Sequence, residues 1–330
     1  MKYYLAIDQG GSKTEAVVFT DIGHILAFGD DRGLRNHGES YLAMQGTWIR
    51  LAAERALDKI GLTLADLSGT CCSLNGADWP EDYDRLRHLV SKELGLDEAD
   101  ILIVNDCIGA MRGGTSGGNQ AVLCAGSGMN CAVRAADGRE YIYGYFVNAP
   151  DQGGGAIGTK VWQSILDAYT GLGPETCLTQ LLLEKYGEPD LVSLYKKFTS
   201  AQVAFRNFDL CPLAMRAAKA QDPVAQEIIR VTAERMVQYM ELGAQKLNLE
   251  KEEITLVMTG GVFKGDGKVL FDAVRNEIHR KHLNFTCTSA RYEPVAGAAL
   301  LLLDTLEPEK RQAALDVFAQ DAPHFALKWG

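Results

Sequence analysis

The apolar and polar positions at the start of the chain predict a β-hairpin. Residues 3–7 are apolar and end at Asp8, after which Gly10, Gly11 and small polar residues follow. A second apolar run covers residues 16–19 after this short break. Two apolar runs separated by glycines are typical of antiparallel strands joined by a tight turn. We therefore predict that the chain opens with a strand, a turn and a returning strand.

The same order of elements occurs again near the middle of the chain. Residues 120–125 are mostly apolar, a Gly-Ser-Gly break covers residues 126–128, and a second apolar run starts at Met129. In both regions a further turn signal and a third short strand come next, at residues 21–28 and 137–143. Two units with the same plan of strands and turns indicate an internal duplication.

The remaining pattern alternates between strand and helix signals. Strands are predicted over residues 69–74, 101–104, 254–258 and 285–288, and helices over residues 40–60, 82–94, 269–280 and 295–306. Residues 157–247 carry helical spacing with almost no strand signal, and residues 113–118 form a glycine-rich linker. This alternation predicts an α/β fold with layers of helices on a mixed sheet.

The linker and the repeat suggest two lobes. We expect a first lobe over residues 1–115 and a second over residues 116–307, with residues 157–247 as a helical insertion in the second. The final segment, residues 308–330, is expected to pack back on the first lobe. A chain of 330 residues is long enough for two such cores.

The two glycine turns have the chemistry of phosphate-binding loops. Glycine lets backbone N–H groups approach an anion closely, while Ser12 and Thr14 add hydroxyl groups and Lys13 adds a positive charge. Asp8, at a strand end, can hold Mg²⁺ directly or through water. The spacing of a Walker A loop is absent and no helix follows, so neither that motif nor a Rossmann fingerprint is present. Either turn alone is equally consistent with an ordinary hairpin.

Together these segments resemble the N-acetylglucosamine kinase and BadF/BadG-type ATPase family of the sugar kinase/Hsp70/actin superfamily. The resemblance rests on residues 7–14 and 123–131 as phosphate loops, 101–106 as the strand with the catalytic acid, 256–262 as the adenosine motif and 294–299 as a helix start. It implies two ribonuclease-H-like (actin-like ATPase) lobes around a nucleotide cleft, with ATP and Mg²⁺ bound there.

The resemblance also assigns roles to individual residues. Asp106 would be the catalytic carboxylate that takes or orients the acceptor proton, although an aspartate there could equally cap the helix expected near Ile108. Asp8 would organise the metal. The residues expected to bind the nucleotide are Asp8, Gly10, Gly11, Ser12, Lys13, Thr14, Gly126, Ser127, Gly128, Gly260 and Gly261. Without the resemblance, Gly260 and Gly261 could form a turn of no special purpose.

The acceptor side departs from the family pattern. Relatives that phosphorylate amino sugars carry G-W-G-x-x-x-G-D-E-G-S-G after the second repeat, whereas this chain keeps Asp151 but has Gln152 in place of the glutamate. An amide keeps hydrogen bonding but loses a charge, which leaves the identity of the acceptor open. The residues expected to bind the acceptor are Asn36, His37, Asn75, Asp78, Asn130, Asp151 and Gln152. The first five of these could each instead be a turn or cap residue.

Composition narrows the range of partners. The formal net charge of −10 argues against nucleic acid and anionic membrane surfaces, and the sequence has no apolar run long enough to span a bilayer. No basic and apolar leader is visible at Met1, and the eight cysteines are scattered without a CxxC pair. We therefore expect a cytoplasmic protein with reduced thiols, a small-molecule sugar substrate and, as one option, a homodimer.

The sequence thus predicts an ATP-dependent kinase that phosphorylates an amino sugar of the N-acetylglucosamine or glucosamine type. One alternative is a BadF/BadG-type ATPase that drives a partner protein through an iron–sulfur cluster, because Cys124 precedes Ala125 and Gly126 as a cysteine does in those proteins. However, Cys124 falls inside a predicted strand, and no matching second cysteine is evident. A second alternative is a sensor on the same fold, which the acidic charge and the lack of a helix-turn-helix oppose.

Overall fold

The computed structural model describes residues 1–32 and 39–328. The strands are β1 (Tyr3–Gln9), β2 (Lys13–Thr20), β3 (Ile25–Arg32), β4 (Leu67–Leu74), β5 (Ile101–Asn105), β6 (Asn119–Ala125), β7 (Met129–Arg134), β8 (Glu140–Ile142), β9 (Ile254–Thr259) and β10 (Phe285–Ser289). The helices are α1 (Glu39–Leu57), α2 (Pro80–Leu94), α3 (Asp106–Arg112), α4 (Gly153–Thr170), α5 (Leu178–Tyr186), α6 (Leu191–Thr199), α7 (Cys211–Lys219), α8 (Pro223–Lys246), α9 (Lys268–Arg280), α10 (Pro294–Leu303) and α11 (Pro308–Asp321). Among these helices, none is long and apolar enough to cross a membrane.

The chain divides into two compact units, and each contains one sheet of the described strands. Unit 1 comprises Met1–Gly117 and Ser289–Gly330, and unit 2 comprises Gly118–Thr288. The strand order is β3-β2-β1-β4-β5 in the first sheet and β10-β9-β6-β7-β8 in the second. Each sheet starts with an antiparallel β-meander whose first strand also pairs in parallel with a later strand, β1 with β4 and β6 with β9. The predicted duplication and mixed α/β fold are therefore confirmed.

Strand alternation places helices on both faces of the sheet of unit 1. Leu5 and Ile7 of β1 lie in a core with α1 and α2, while Ala6 points to the opposite face and packs with α10 and α11. Successive side chains of a strand point to opposite faces, so the consecutive apolar residues Leu5, Ala6 and Ile7 mean that both faces are covered. β1 is thus held in the middle of the unit, with its carboxyl end at Asp8 and Gln9.

The boundary between the units differs from the sequence expectation at one end. Residues 289–307 were assigned to the second lobe, whereas unit 2 ends at Thr288 and α10 belongs to unit 1. The reason is close packing of α10 on α3: a Cβ atom at Gly297 would lie 1.9 Å from the carbonyl oxygen of Gly109. α11 lies in unit 1 as well, with Ala314 and Phe318 in the same core as α10.

Unit 2 contains the long helical segment. Helices α4 to α8 follow β8 without an intervening strand in the described chain, and they share one core with the inward faces of β6 and β9. Leu123 and Met258 are fully buried in that core. The helical segment is therefore packed on the sheet of unit 2 and does not form a separate core.

Candidate functional site

The first glycine turn, residues 10–13, leaves backbone donors available. The N–H of Gly10 donates to the carbonyl oxygen of Lys13 at 3.0 Å and closes the hairpin between β1 and β2. For Gly11 and Ser12, no backbone N–H bond to another described residue is found. Ser12 is exposed, and the space where a Cβ of Gly10 would lie is open. Two successive N–H groups that face solvent at a tight turn can hold an anion.

The other predicted residues of this turn are engaged within unit 1. The Lys13 ammonium lies 2.7 Å from the Glu15 carboxylate. Thr14 is fully buried, and its hydroxyl oxygen accepts a hydrogen bond from the side-chain amide of Gln9 at 3.1 Å. The buried Thr14 therefore stabilises the hairpin through its bond to Gln9. A direct contact of Lys13 or Thr14 with a nucleotide stays a prediction.

Asp8 is a buried carboxylate directly before the first turn. Only 6% of its surface is exposed, and the Ser73 hydroxyl donates to Oδ1 at 3.1 Å. Burial raises the pKa of Asp8 to about 8, against the lowering effect of Lys13, and the charges of Glu15 and Asp106 raise it further. The carboxyl group of Asp8 is therefore harder to ionise than that of an ordinary aspartate, and a nearby positive charge would favour its ionised form.

Asp106 is the first residue of α3, and it does not cap that helix. Asn105 is the N-cap: its side-chain oxygen accepts from the N–H of Cys107 at 2.9 Å. The alternative of Asp106 as a cap is therefore wrong, because the helix starts two residues earlier than expected and the preceding asparagine fills that position. Asp106 lies half-buried at the carboxyl end of β5. Its negative charge raises the pKa values of Asp8 and Asp78.

Asn75 and Asp78 lie in the connection between β4 and α2 of unit 1. The Asn105 amide donates to Asp78 Oδ1 at 3.0 Å, and burial followed by the charge of Asp106 raises the pKa of Asp78 to about 6. Unit 1 therefore brings three predicted carboxylates, those of Asp8, Asp78 and Asp106, into one electrostatic cluster. Asn36 and His37 lie outside the described residues.

Asn75 is fixed from three sides. Its backbone N–H donates to the carbonyl oxygen of Gln9 at 3.0 Å, and its carbonyl oxygen accepts from the Gln45 amide at 3.2 Å. Its side-chain oxygen accepts from the hydroxyl of Tyr41. Gln9 and Gln45 were not expected as site residues, although both are fully or almost fully buried polar residues. No pattern in the sequence marks either glutamine, because the burial of each depends on the fold.

The second glycine turn, residues 126–128, is built on the same plan. The N–H of Gly126 donates to the carbonyl oxygen of Gly128 at 2.9 Å, and Ser127 and Gly128 are exposed. The carbonyl oxygens of Gly126 and Ser127 accept from the first turn of α4, from Gly154 and Gly155, at 2.8 Å each. In the described part of unit 2, no backbone hydrogen bond from Ser127 or Gly128 is found, so this turn also presents two available donors.

Gly260 brings the end of β9 against the end of β6. Its φ of +100° lies in the region that favours glycine, and a Cβ there would lie 2.2 Å from the carbonyl oxygen of Ala125. Around Gly261 the equivalent space is open. The predicted adenosine motif therefore lies directly beside the second turn within unit 2, as a nucleotide site would require.

Three predicted acceptor residues of unit 2 are bound to the framework of that unit. Asp151 Oδ2 accepts from the Tyr239 hydroxyl at 3.0 Å and lies 3.3 Å from Arg235 Nε. Asn130 Oδ1 accepts from the N–H groups of Cys131 and Gly144, at 2.8 and 3.0 Å. The Gln152 amide links Met129, directly after the second turn, to Val147 in the chain that follows β8. Contact of these residues with an acceptor stays a prediction.

The residues available for a metal are few. Among the described residues, no group of three or more histidine, cysteine, aspartate or glutamate side chains is arranged to hold a metal ion. Mg²⁺ in phosphoryl-transfer sites usually needs only one or two carboxylates, with water and substrate phosphates completing its coordination. Asp8, with its raised pKa, suits a divalent cation on that basis, because the cation would stabilise the ionised carboxylate.

The chain is similar to the proteins of one known ATPase family along most of its length. The model of the BadF/BadG/BcrA/BcrD ATPase family matches residues 5–301. The N-acetyl-D-glucosamine kinase of Dictyostelium discoideum is 29% identical over 327 residues, which cover 92% of this chain and 98% of that protein. The N-acetylmuramic acid/N-acetylglucosamine kinase of Clostridium acetobutylicum is 24% identical over 310 residues, covering 91% and 98%.

A solved structure has the same fold. A proposed N-acetylglucosamine kinase from Chromobacterium violaceum superposes with a TM-score of 0.67 at 19% identity, covering 92% of this chain and 99% of that one. The similarity extends over both units, so each unit has the same fold as the corresponding part of that structure.

Proposed function

We infer the activity from one premise, that the chain belongs to the BadF/BadG/BcrA/BcrD ATPase family. The chain transfers the γ-phosphoryl group of ATP to a hydroxyl group of an amino sugar, of the N-acetylglucosamine or glucosamine type. The names of the matching kinases support this choice of reaction and acceptor, and two of those kinases are similar along nearly their whole length.

The observation that carries the proposal is the pair of glycine turns. Each turn uses its first N–H to close its own hairpin and leaves the next two N–H groups without a bond to another described residue. Such donors stabilise phosphate oxygens and the negative charge that develops on them during transfer. We assign both turns, together with Gly260 and Gly261, to ATP binding.

Asp106 is the proposed catalytic residue. Its position at the carboxyl end of β5, in the first turn of α3, fixes the backbone that carries it. Its carboxylate accepts the proton of the acceptor hydroxyl, or orients that hydroxyl, as the oxygen attacks phosphorus. Asp78, whose pKa the charge of Asp106 raises, and Asn75, which lies in the same connection between β4 and α2, are proposed to hydrogen-bond the acceptor.

Asp8 is the proposed anchor for Mg²⁺. A bound Mg²⁺ neutralises charge on the transferred phosphoryl group. The protein's part is to supply a carboxylate that Ser73 orients and that burial isolates from water. A cytoplasmic location and a homodimer stay predictions.

The test is ADP release by the purified protein with Mg·ATP, with and without neutral, amino and N-acetylated sugars. We expect strong stimulation by an amino or N-acetylated sugar and a phosphorylated product detectable by mass spectrometry. Hydrolysis of ATP at the same rate with every sugar would contradict the kinase proposal and favour an ATPase that acts on another protein.

A further inference from the structure

We propose that Gln152 is a positioning residue that clamps the second turn for phosphate binding, and that an amide is required at this position. The proposal rests on the proposed function in one respect, that the second turn binds ATP. Gln152 Oε1 accepts from the backbone N–H of Met129 at 3.1 Å, and Gln152 Nε2 donates to the carbonyl oxygen of Val147 at 2.9 Å. The side chain therefore joins the second turn to the chain that follows β8.

The two partners have opposite hydrogen-bonding characters. The Met129 N–H needs an acceptor and the Val147 carbonyl needs a donor, so only a group with both can satisfy them. An ionised glutamate would accept from Met129 and set its second oxygen against the oxygen of Val147. The glutamate of the family pattern would thus be unfavourable in this chain, although it differs from Gln152 by one atom.

The second turn depends on a small set of contacts. Its carbonyl oxygens are held by the start of α4, and Gly153, with φ +50°, lies so close that a Cβ would reach 2.2 Å from the carbonyl oxygen of Gly128. Gln152 fixes the other side of the turn, at Met129, and its Oε1 lies 3.2 Å from the position of a Cβ at Gly128. Loss of this clamp would let the N–H groups of Ser127 and Gly128 change direction.

This arrangement predicts which kinetic constant changes. Since both polar ends of the Gln152 amide are engaged by the backbone of unit 2, its replacement should weaken ATP binding and leave acceptor binding nearly unchanged. A residue that contacted the sugar would show the reverse pattern. The departure of Gln152 from the family pattern is then a change in how the turn is held.

The experiment compares Gln152→Glu with Gln152→Met, which is similar in size but has neither a donor nor a carbonyl. At about pH 8.5, where the new carboxylate is ionised, we expect the KM for ATP to rise about tenfold or more in both variants. The KM for the acceptor should stay within about twofold. Gln163→Glu is the matched control, because Gln163 is an exposed residue of α4 whose side-chain amide donates to Asp167 at 2.7 Å.

The pH profile separates the clamp from a general structural role. A protonated glutamate has an O–H donor and a carbonyl acceptor, so lowering the pH to about 5.5 should partly rescue Gln152→Glu and leave Gln152→Met unchanged relative to wild type. Asp151, which precedes Gln152, and the cations Lys160 and Arg235 that interact with it are present in every protein compared, so the ratio to wild type removes their own titration.

Two results would overturn the clamp: an unchanged KM for ATP in both variants, or an increase confined to the acceptor KM. The Kd of Mg·ATP without sugar, measured by calorimetry, keeps the two proposals apart. A wild type that binds ATP but phosphorylates no sugar would refute the kinase proposal, while the variants' Kd values would still decide the clamp. If Gln152→Glu does not fold, a Kd for Gln152→Met equal to that of wild type overturns the clamp.

Discussion

The exchange Asp106→Asn should separate catalysis from stability, because the helix that carries Asp106 is capped by its neighbour. Asn105 accepts from the N–H of Cys107 at 2.9 Å and donates to the carbonyl oxygen of Ala77 at 3.1 Å. Asp106 contributes a negative charge to the first turn of α3 and shares an electrostatic cluster with Asp8 and Asp78. Asn105 therefore stabilises the start of α3, whereas Asp106 has the proposed catalytic role.

The effect on stability is the balance of two small terms. Removing a carboxylate from the first turn of a helix costs about 0.3–1 kcal/mol. Removing a negative charge beside Asp8 and Asp78, whose pKa values Asp106 raises, offsets that cost. We expect the unfolding free energy of Asp106→Asn to lie within about 1 kcal/mol of wild type.

The effect on catalysis is much larger. General base catalysis typically contributes a factor of about 10² to 10⁴, which corresponds to about 3–5 kcal/mol of barrier. Asparagine has nearly the same shape as aspartate but cannot accept a proton. The kcat should fall by that factor, while the Kd of Mg·ATP, measured by calorimetry, should change little.

Asn105→Ala is the matched comparison. It removes the cap, which costs about 1 kcal/mol, and leaves the buried Ala77 carbonyl without that donor, which costs about 1–3 kcal/mol. We expect a loss of about 2–4 kcal/mol by urea unfolding, several times larger than that of Asp106→Asn. A kcat of Asp106→Asn within tenfold of wild type would refute the catalytic role, and equal instability of the two variants would refute the division of tasks.

Three further substitutions test the surrounding framework. Gly260→Ala should lower the unfolding free energy by at least about 2 kcal/mol, because it combines φ +100° with a clash at the carbonyl oxygen of Ala125. Gly261→Ala has open space around it, so it should keep the stability of wild type and raise the KM for ATP. Asp8→Asn should abolish Mg²⁺-dependent ADP release. It should also raise the melting temperature in metal-free buffer, because it removes a carboxylate whose burial is costly. A lower melting temperature would contradict that cost of burial. Gln45→Leu removes the donor that holds the Asn75 carbonyl, so it should raise the acceptor KM severalfold with little change for ATP. A change confined to the KM for ATP would contradict this indirect role through Asn75.

The strands were predictable from the sequence because their burial leaves a direct pattern. In β1 every residue from Leu5 to Ile7 is apolar, as expected for a strand covered on both faces. The repeat of an apolar run, a glycine turn and a second apolar run identified both meanders, since these elements are local in sequence. Elements that form between residues close in sequence can therefore be predicted from the local pattern of apolar residues and glycines.

Long-range choices were not predictable. Helix α10 is apolar on nearly all sides, which indicates burial but does not identify the sheet that covers it, so its assignment to the second lobe was wrong. The same limit applies to Gln9 and Gln45. Gln9 donates to the carbonyl oxygen of Gln45 and Gln45 donates to that of Asn75, over separations of 36 and 30 residues, and composition does not show that a glutamine will bond to a distant backbone group.

The two copies of the meander share a turn but differ in the chemistry beside it. Two residues before the first glycine of each turn, unit 1 has Asp8 and unit 2 has Cys124. Across the hairpin, Asp8 pairs with Glu15, whereas Cys124 pairs with the neutral Asn130. The duplication therefore supplied two sets of N–H donors but only one acidic strand end. In the proposed site, the carboxylates that would hold a divalent cation belong to unit 1, where the charge of Asp106 raises the pKa of Asp8, and the second turn would contribute neutral N–H donors. From this asymmetry, substitutions at the first turn should alter the Mg²⁺ dependence of ATP binding, and substitutions at the second turn should alter ATP affinity alone.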